Sequence, residues 1–203
     1  MGFVSILSQK SDKIVIFPRN KPFGTLFVID KSEYNYLKER RITMNFNNFT
    51  IKAQEAVQEA VNLTQAHNGQ VIEPIHLLQA VMKVGENVTK FIFQKLGVNG
   101  QQIVNVVARQ IESLPKVSGG NPYLSRESND VLQKAVQYSK EMGDEFVSIE
   151  PIILALLVVK STASSILKDA GVSEKELREA INELRKGERV TSQSSEDTYQ
   201  SLE

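Results

Sequence analysis

Ile72-Glu73-Pro74-Ile75 returns later in the chain as Ile149-Glu150-Pro151-Ile152, and that return decides how the sequence is read. A string that recurs asks whether its surroundings recur too, because self-similarity at one period marks a chain built from copies of a unit. Upstream, Phe49-Thr50 falls over Leu124-Ser125, Ala56-Val57 over Val131-Leu132, and Ala60-Val61 over Ala135-Val136. Keeping the two Ile-Glu-Pro-Ile strings in register requires two extra residues in the second copy's turn. Downstream, Leu96-Gly97-Val98 meets Ala170-Gly171-Val172 after a loss of three, and Ile103 and Val107 meet Leu177 and Ile181. Both shifts fall where loops are expected, and loops tolerate changes of length.

Each copy, of about seventy-five residues, reads as four helices. In the first, Ala53, Val57, Ala60, Val61 and Thr64 share one face at helical spacing. His67-Asn68-Gly69 ends that helix, since Asn or Gly takes a left-handed cap. The second helix, about Pro74 to Lys83, has Pro in its first turn, where no N–H is needed. The third runs near Val88 to Leu96 and is closed by Gly97. The fourth carries Ile103, Val107, Ile111 and Leu114. In the second copy Ser173 and Glu176 form a capping-box pattern ahead of Leu177, Ile181 and Leu184. Leu114-Pro115 to Pro122 joins the copies, with Gly119-Gly120 as a flexible joint. The expected fold is all-α, a pseudo-twofold double four-helix repeat of about eight helices with apolar stripes buried between them.

The ends differ from this middle. Residues 1–43 carry β-leaning runs at Lys13–Phe17 and Thr25–Ile29, separated by the breaker-rich Pro18–Pro22, so a small β-hairpin is expected there. Thr191 to Glu203 is polar and reads as a solvated linker.

The 203 residues hold 24 Lys and Arg against 24 Asp and Glu, so no overall field draws the chain to nucleic acid or to a membrane. With 0 cysteines there is no disulfide, thiolate zinc site or cysteine nucleophile. The longest apolar run, Ile152 to Val159, is far short of the roughly 20 residues of a membrane span. No secretory signal precedes it, so a cytoplasmic location is the expectation. No phosphate loop and no Gly-x-Ser-x-Gly elbow occurs. His67 and His76 are not spaced as a zinc pair; His76 reads as a hydrogen-bonded core residue and His67 as a turn residue. Asp144, Glu145 and Glu150 lie near a helix start, where the dipole favours acids by roughly 0.3–1 kcal/mol. No constellation for catalysis emerges, and an enzyme is not expected of this chain.

The repeat and its motifs resemble the N-terminal domain of the Clp family, a double Clp repeat, and in particular that of the ClpB-type AAA+ chaperones. The resemblance is carried by Met44-Asn45-Phe46-Asn47-Asn48-Phe49-Thr50, by Ile72-Glu73-Pro74-Ile75-His76-Leu77-Leu78, by Gly143-Asp144-Glu145-Phe146-Val147-Ser148, and by the tail Glu196-Asp197-Thr198-Tyr199-Gln200-Ser201-Leu202-Glu203. It implies a domain at 44–187, with repeat one at 44–115, a connector at 116–123 and repeat two at 124–187. Residues 1–43 are an extension outside the family pattern, and 188–203 begin a linker toward ATPase domains not in this chain. It implies a non-catalytic domain that binds unfolded or aggregated polypeptide in a shallow groove and delivers it to an ATPase ring. The alternative is an adaptor-docking domain of a Clp protease-associated unfoldase. No cofactor is implied for the chain itself, with ATP and magnesium belonging to the ATPase domains of a hexameric parent. The chain itself is expected to be monomeric.

The family's site residues fall at Thr50, Asp144 and Glu150, with groove positions at Lys134, Tyr138 and Pro151. Lys134 and Pro151 depart from the family's pattern at those positions. Thr50 also reads as an N-cap, as does its repeat mate Ser125, each worth about 1 kcal/mol. Thr50 is further expected to link to Asp144 or Glu150 and hold the groove's shape.

Overall fold

The computed structural model describes residues 13–16, 27–30, 46–117 and 122–196. Contacts divide the chain into two units, 1–45 and 46–203. In the first, β1 (Lys13–Ile16) pairs antiparallel with β2 (Phe27–Asp30), Lys13 opposite Asp30 and Ile16 opposite Phe27. That is the expected strand pair; the Pro18–Pro22 breaker lies outside the described residues.

The second unit carries eight α-helices among the described residues: α1 (Ile51–Ala66), α2 (Pro74–Val84), α3 (Glu86–Lys95), α4 (Gly100–Glu112), α5 (Arg126–Glu141), α6 (Ile149–Val158), α7 (Thr162–Asp169) and α8 (Glu174–Arg185). Side chains set most of their starts. Thr50, Asn99, Ser125, Ser161 and Ser173 each accept an N–H of the following first turn, satisfying donors that a helix start leaves orphaned. Removing the Thr50 hydroxyl by Thr50→Val should cost about 1 kcal/mol in a urea melt, because the Ala53 N–H at 3.2 Å then has no acceptor. Helix α1 buries Ala53, Ala56, Ala60 and Thr64, while Val57 and Val61 are only half-buried. Small residues on that face let α1 lie close against α2.

Helices α2 and α6 pack on each other at the centre. In α6 every residue from Ile149 to Leu157 is buried. Each such aliphatic side chain contributes roughly 1.5–3 kcal/mol on burial. Two short parallel pairings tie the copies together. β3 (Val71–Ile72) runs beside β4 (Tyr123–Leu124), and Phe49 bridges Val147. Ser125 donates its N–H to Ile72 O at 3.0 Å, and Thr50 donates to Val147 O at 3.0 Å.

These pairings correct the repeat register. Thr50 is to Val147 as Ser125 is to Ile72, and both Pro74 and Ile149 open their helices. Val147 is therefore the mate of Ile72, Ser148 of Glu73, and Pro151 of His76. The two Ile-Glu-Pro-Ile strings sit two residues out of phase, and the extra residues placed in the second copy's turn are not there. Asn68 and Gly143, one spacing apart with Thr50 and Ser125, both take a left-handed conformation at φ 56° and 76°. The physical reason is that α2 and α6 are buried nearly all round. Their apolar run has no phase of its own, and the strand pairing just ahead of each helix sets where it begins.

The other difference lies after α8. Thr191 to Ser194 are exposed, but Val190 and Glu196 on either side are buried. The chain does not leave for solvent at Gly187. The connector's Gly119-Gly120 and the tail beyond Glu196 lie outside the described residues.

Candidate functional site

Helix α8 buries Leu177, Ala180, Ile181, Leu184 and Arg185. In repeat one the matching helix α4 buries Ile103, Val107 and Ile111. Arg185 thus stands where repeat one has Ile111, a guanidinium in an aliphatic stripe. A buried charge survives only if it is paired and hydrogen-bonded, and this one is. Arg185 Nε donates to Glu150 Oε1 at 2.9 Å, one terminal nitrogen donates to Asp144 Oδ2 at 2.8 Å, and the other to Ser148 Oγ at 2.9 Å. The planar fork of arginine suits such a three-way grip, which a lysine could not reproduce. Burial works against the charge, but Glu150 and then Asp144 outweigh it and hold the guanidinium above its ordinary pKa. Asp144 spends its second oxygen on the Val190 N–H at 3.0 Å.

A further acid joins from the far end of the unit. Glu196 is 4% exposed. Its Oε1 accepts the N–H of Ile149, the first residue of α6, at 2.8 Å, and the Thr50 hydroxyl lies beside the same carboxyl. Burial first, and the Glu150 charge second, push the Glu196 pKa from 4.5 up to about 7, against the opposing pull of Thr50, Ile149 and Arg185. Glu150 Oε2 and Glu196 Oε2 are buried and accept no hydrogen bond among the described residues.

A second cluster is built two turns earlier on α8. Tyr138 of α5 is buried, with Lys134 Nζ 4.7 Å and Arg178 Cζ 4.7 Å from its ring centroid. Each cation over an aromatic face is worth roughly 0.5–1 kcal/mol at an exposed site. Lys134 also donates to Gln137 at 2.9 Å. Burial and the neighbouring Glu174 raise the phenol's pKa.

The structure therefore brings Asp144 and Glu150 together on Arg185, and brings Thr50 to them through Glu196 rather than by direct linkage. Lys134 and Tyr138 meet each other. Pro151 lies buried in α6. Neither Arg185 nor Glu196 is singled out by the sequence, yet one signal was available: a charged residue in the buried stripe of α8 at the position of Ile111. His76 is buried and its ring Nδ1 accepts the Glu73 N–H at 3.0 Å, closing a capping box. Burial lowers its pKa to about 4, so it serves as a neutral acceptor. His67 bonds Leu63 O at 2.9 Å and Glu112 at 3.0 Å from the turn. No group of three or more acidic or histidine side chains among the described residues could hold a metal ion. No single helix among them is long and apolar enough to cross a membrane.

An open cleft lies elsewhere, in repeat one. The cleft, of about 670 Å³, runs between α2, α3 and α4. Met82, Phe93, Val98, Gly100 and Val104 line it, and Lys83, Glu86 and Lys90 stand on its rim.

Residues 48–169 match the family of the Clp repeat (R) N-terminal domain. The chain belongs to that family. Its Clp repeats are similar to the chaperone protein ClpB of Bacteroides thetaiotaomicron, 80% identical over 160 residues that cover 79% of this chain and 19% of that protein. The chain thus spans about a fifth of the length of that curated relative. Among solved structures, the Hsp104 N-terminal domain from Candida albicans superposes with a TM-score of 0.67 at 23% identity, covering 74% of this chain and 99% of that one. A ClpV N-domain in complex with VipB peptide superposes with a TM-score of 0.57 at 16% identity, covering 72% of this chain and 92% of that one. The family match and these likenesses together give the chain the all-α fold of the Clp N-terminal domains.

Proposed function

We propose that this Clp repeat domain is a non-catalytic protein-binding domain of a ClpB-type disaggregase, which engages unfolded or aggregated polypeptide and passes it to an ATPase ring. The likeness over 160 residues to a ClpB chaperone carries this reading. The peptide complex formed by a ClpV N-domain of the same fold supports a peptide-sized ligand. Asp144 and Glu150, buried on Arg185, act as the frame together with Thr50, which is buried beside Glu196. Client side chains enter the cleft of repeat one, whose lining includes the half-buried Val98 and Val104 and the buried Met82 and Phe93. Burying apolar area there yields roughly 25 cal/mol per Å². Only the surplus over the cost of association appears as affinity, so the binding is weak and suited to hand-over.

Fluorescence anisotropy of a labelled, permanently unfolded polypeptide tests the proposal. The domain should bind it weakly, and Val104→Glu should weaken binding by about tenfold, the equivalent of 1.4 kcal/mol, with an unchanged melting curve. Lys134→Glu at the Tyr138 cluster should change it by less than twofold. The reverse ranking would move the groove to repeat two, and indifference to every unfolded chain alongside capture of one folded partner would favour an adaptor-docking domain.

A further inference from the structure

After α8 the chain turns back and lies across the starts of two helices. Val190 is buried; its N–H goes to Asp144, and its carbonyl accepts the N–H groups of Glu145 at 2.9 Å and Phe146 at 3.4 Å. Gln193 O accepts the N–H of Ile51, the first residue of α1, at 2.8 Å, and the Gln193 amide donates to Asn47 O at 3.0 Å. Glu196 then takes the first N–H of α6. Residues 190–196 are thus a strap, and its grip ends on one carboxyl.

The surroundings of that carboxyl are unbalanced. Three acids, Asp144, Glu150 and Glu196, face one base, Arg185, which spends its nitrogens on the first two and on Ser148. Lys52 of α1 with Lys83 and Glu86 at the α2–α3 junction line a small cavity of about 190 Å³ beside Glu196. Lys83 is paired to Glu59 at 2.7 Å, and Lys52 lies 3.9 Å from Glu55. The Oε2 atoms of Glu150 and Glu196 are buried with no hydrogen bond among the described residues, and beside Glu196 the nearest donors are the Ile149 N–H and the Thr50 hydroxyl.

We propose that residues 190–196 form a proton-gated strap: a proton on Glu196 keeps the chain beyond α8 docked across the starts of α1 and α6, and loss of that proton releases it. Glu196 docked is held at about 7 against a usual 4.5. A raised pKa means that the docked state binds the proton more tightly. Docking is then strongest below the free value, weakens as pH rises between the two, and is at its weakest above the docked value. Because the strap is the chain's route onward from this domain, its release would lengthen the tether between the domain and whatever follows.

Amide hydrogen exchange on the full chain tests this, read as protection factors of Ile51, Ile149 and Val190 from pH 4.5 to 8. Protection at these three amides should fall by up to about tenfold per pH unit as far as about pH 7 and then level off. Glu196→Gln keeps an acceptor for Ile149 without the charge, and should hold high, pH-independent protection throughout. Glu196→Ala should show low protection at every pH. Core amides such as Leu154 should show no such slope in any variant. A flat wild-type profile, or the same slope in Glu196→Gln, would overturn the proposal.

Discussion

Arg185→Met is expected to destabilise the Clp repeat domain by about 3–5 kcal/mol, the cost of stranding buried carboxylates. Arg185 is 5% exposed at its side chain, and Asp144 and Glu150 are each 0%. Methionine fills much of the space and suits an aliphatic stripe, so the loss is electrostatic rather than a matter of volume. A urea melt followed by circular dichroism measures it. The triple variant Arg185→Met, Asp144→Asn, Glu150→Gln should recover at least half of the loss, because it removes the stranded charges along with their partner. If the single variant loses less than 1 kcal/mol, the network is not holding repeat two together. By contrast, the partly exposed Arg178–Glu174 pair at 2.9 Å is of a kind typically worth 0.2–1 kcal/mol.

Phe49→Ala should cost about as much, roughly 3–5 kcal/mol, for a different reason. Phe49 is 0% exposed, lies edge-on to Phe46 at 5.1 Å, and bridges Val147 of the other repeat. Its removal leaves a cavity at the seam between the copies. The same melt reads it, and Phe49→Leu should recover much of the loss because it refills most of that volume. A small effect would mean that the seam closes around the gap.

The fold was legible because α1, α4, α5 and α8 each bury one stripe, and a stripe has a phase that can be read from the sequence. The same signal failed for α2 and α6. Their residues are buried nearly all round, so the chance recurrence of Ile-Glu-Pro-Ile outweighed the true register, and Pro151 was set beside Pro74 instead of His76. The candidate site was half legible. Asp144 and Glu150 stand out as acids near a helix start, but their shared partner lies on α8, which only the folded chain brings to them. Glu196 was hidden by its composition. A run of Ser, Gln, Glu and Asp reads as solvent-facing, and nothing local shows that one of its acids turns inward to hold α6. Lys134, a departure from the apolar residue of the family's groove, lies over the Tyr138 ring, which Arg178 also approaches.

The most direct test of the binding-domain account is a two-dimensional amide NMR titration of the full chain with a permanently unfolded polypeptide. The account predicts progressive, fast-exchange shifts gathered on Met82, Lys90, Phe93, Val98 and Val104 around the cleft of repeat one, with the Arg185 cluster unmoved. A spectrum unchanged by any unfolded chain, or shifts confined to α5 and α8, would contradict it.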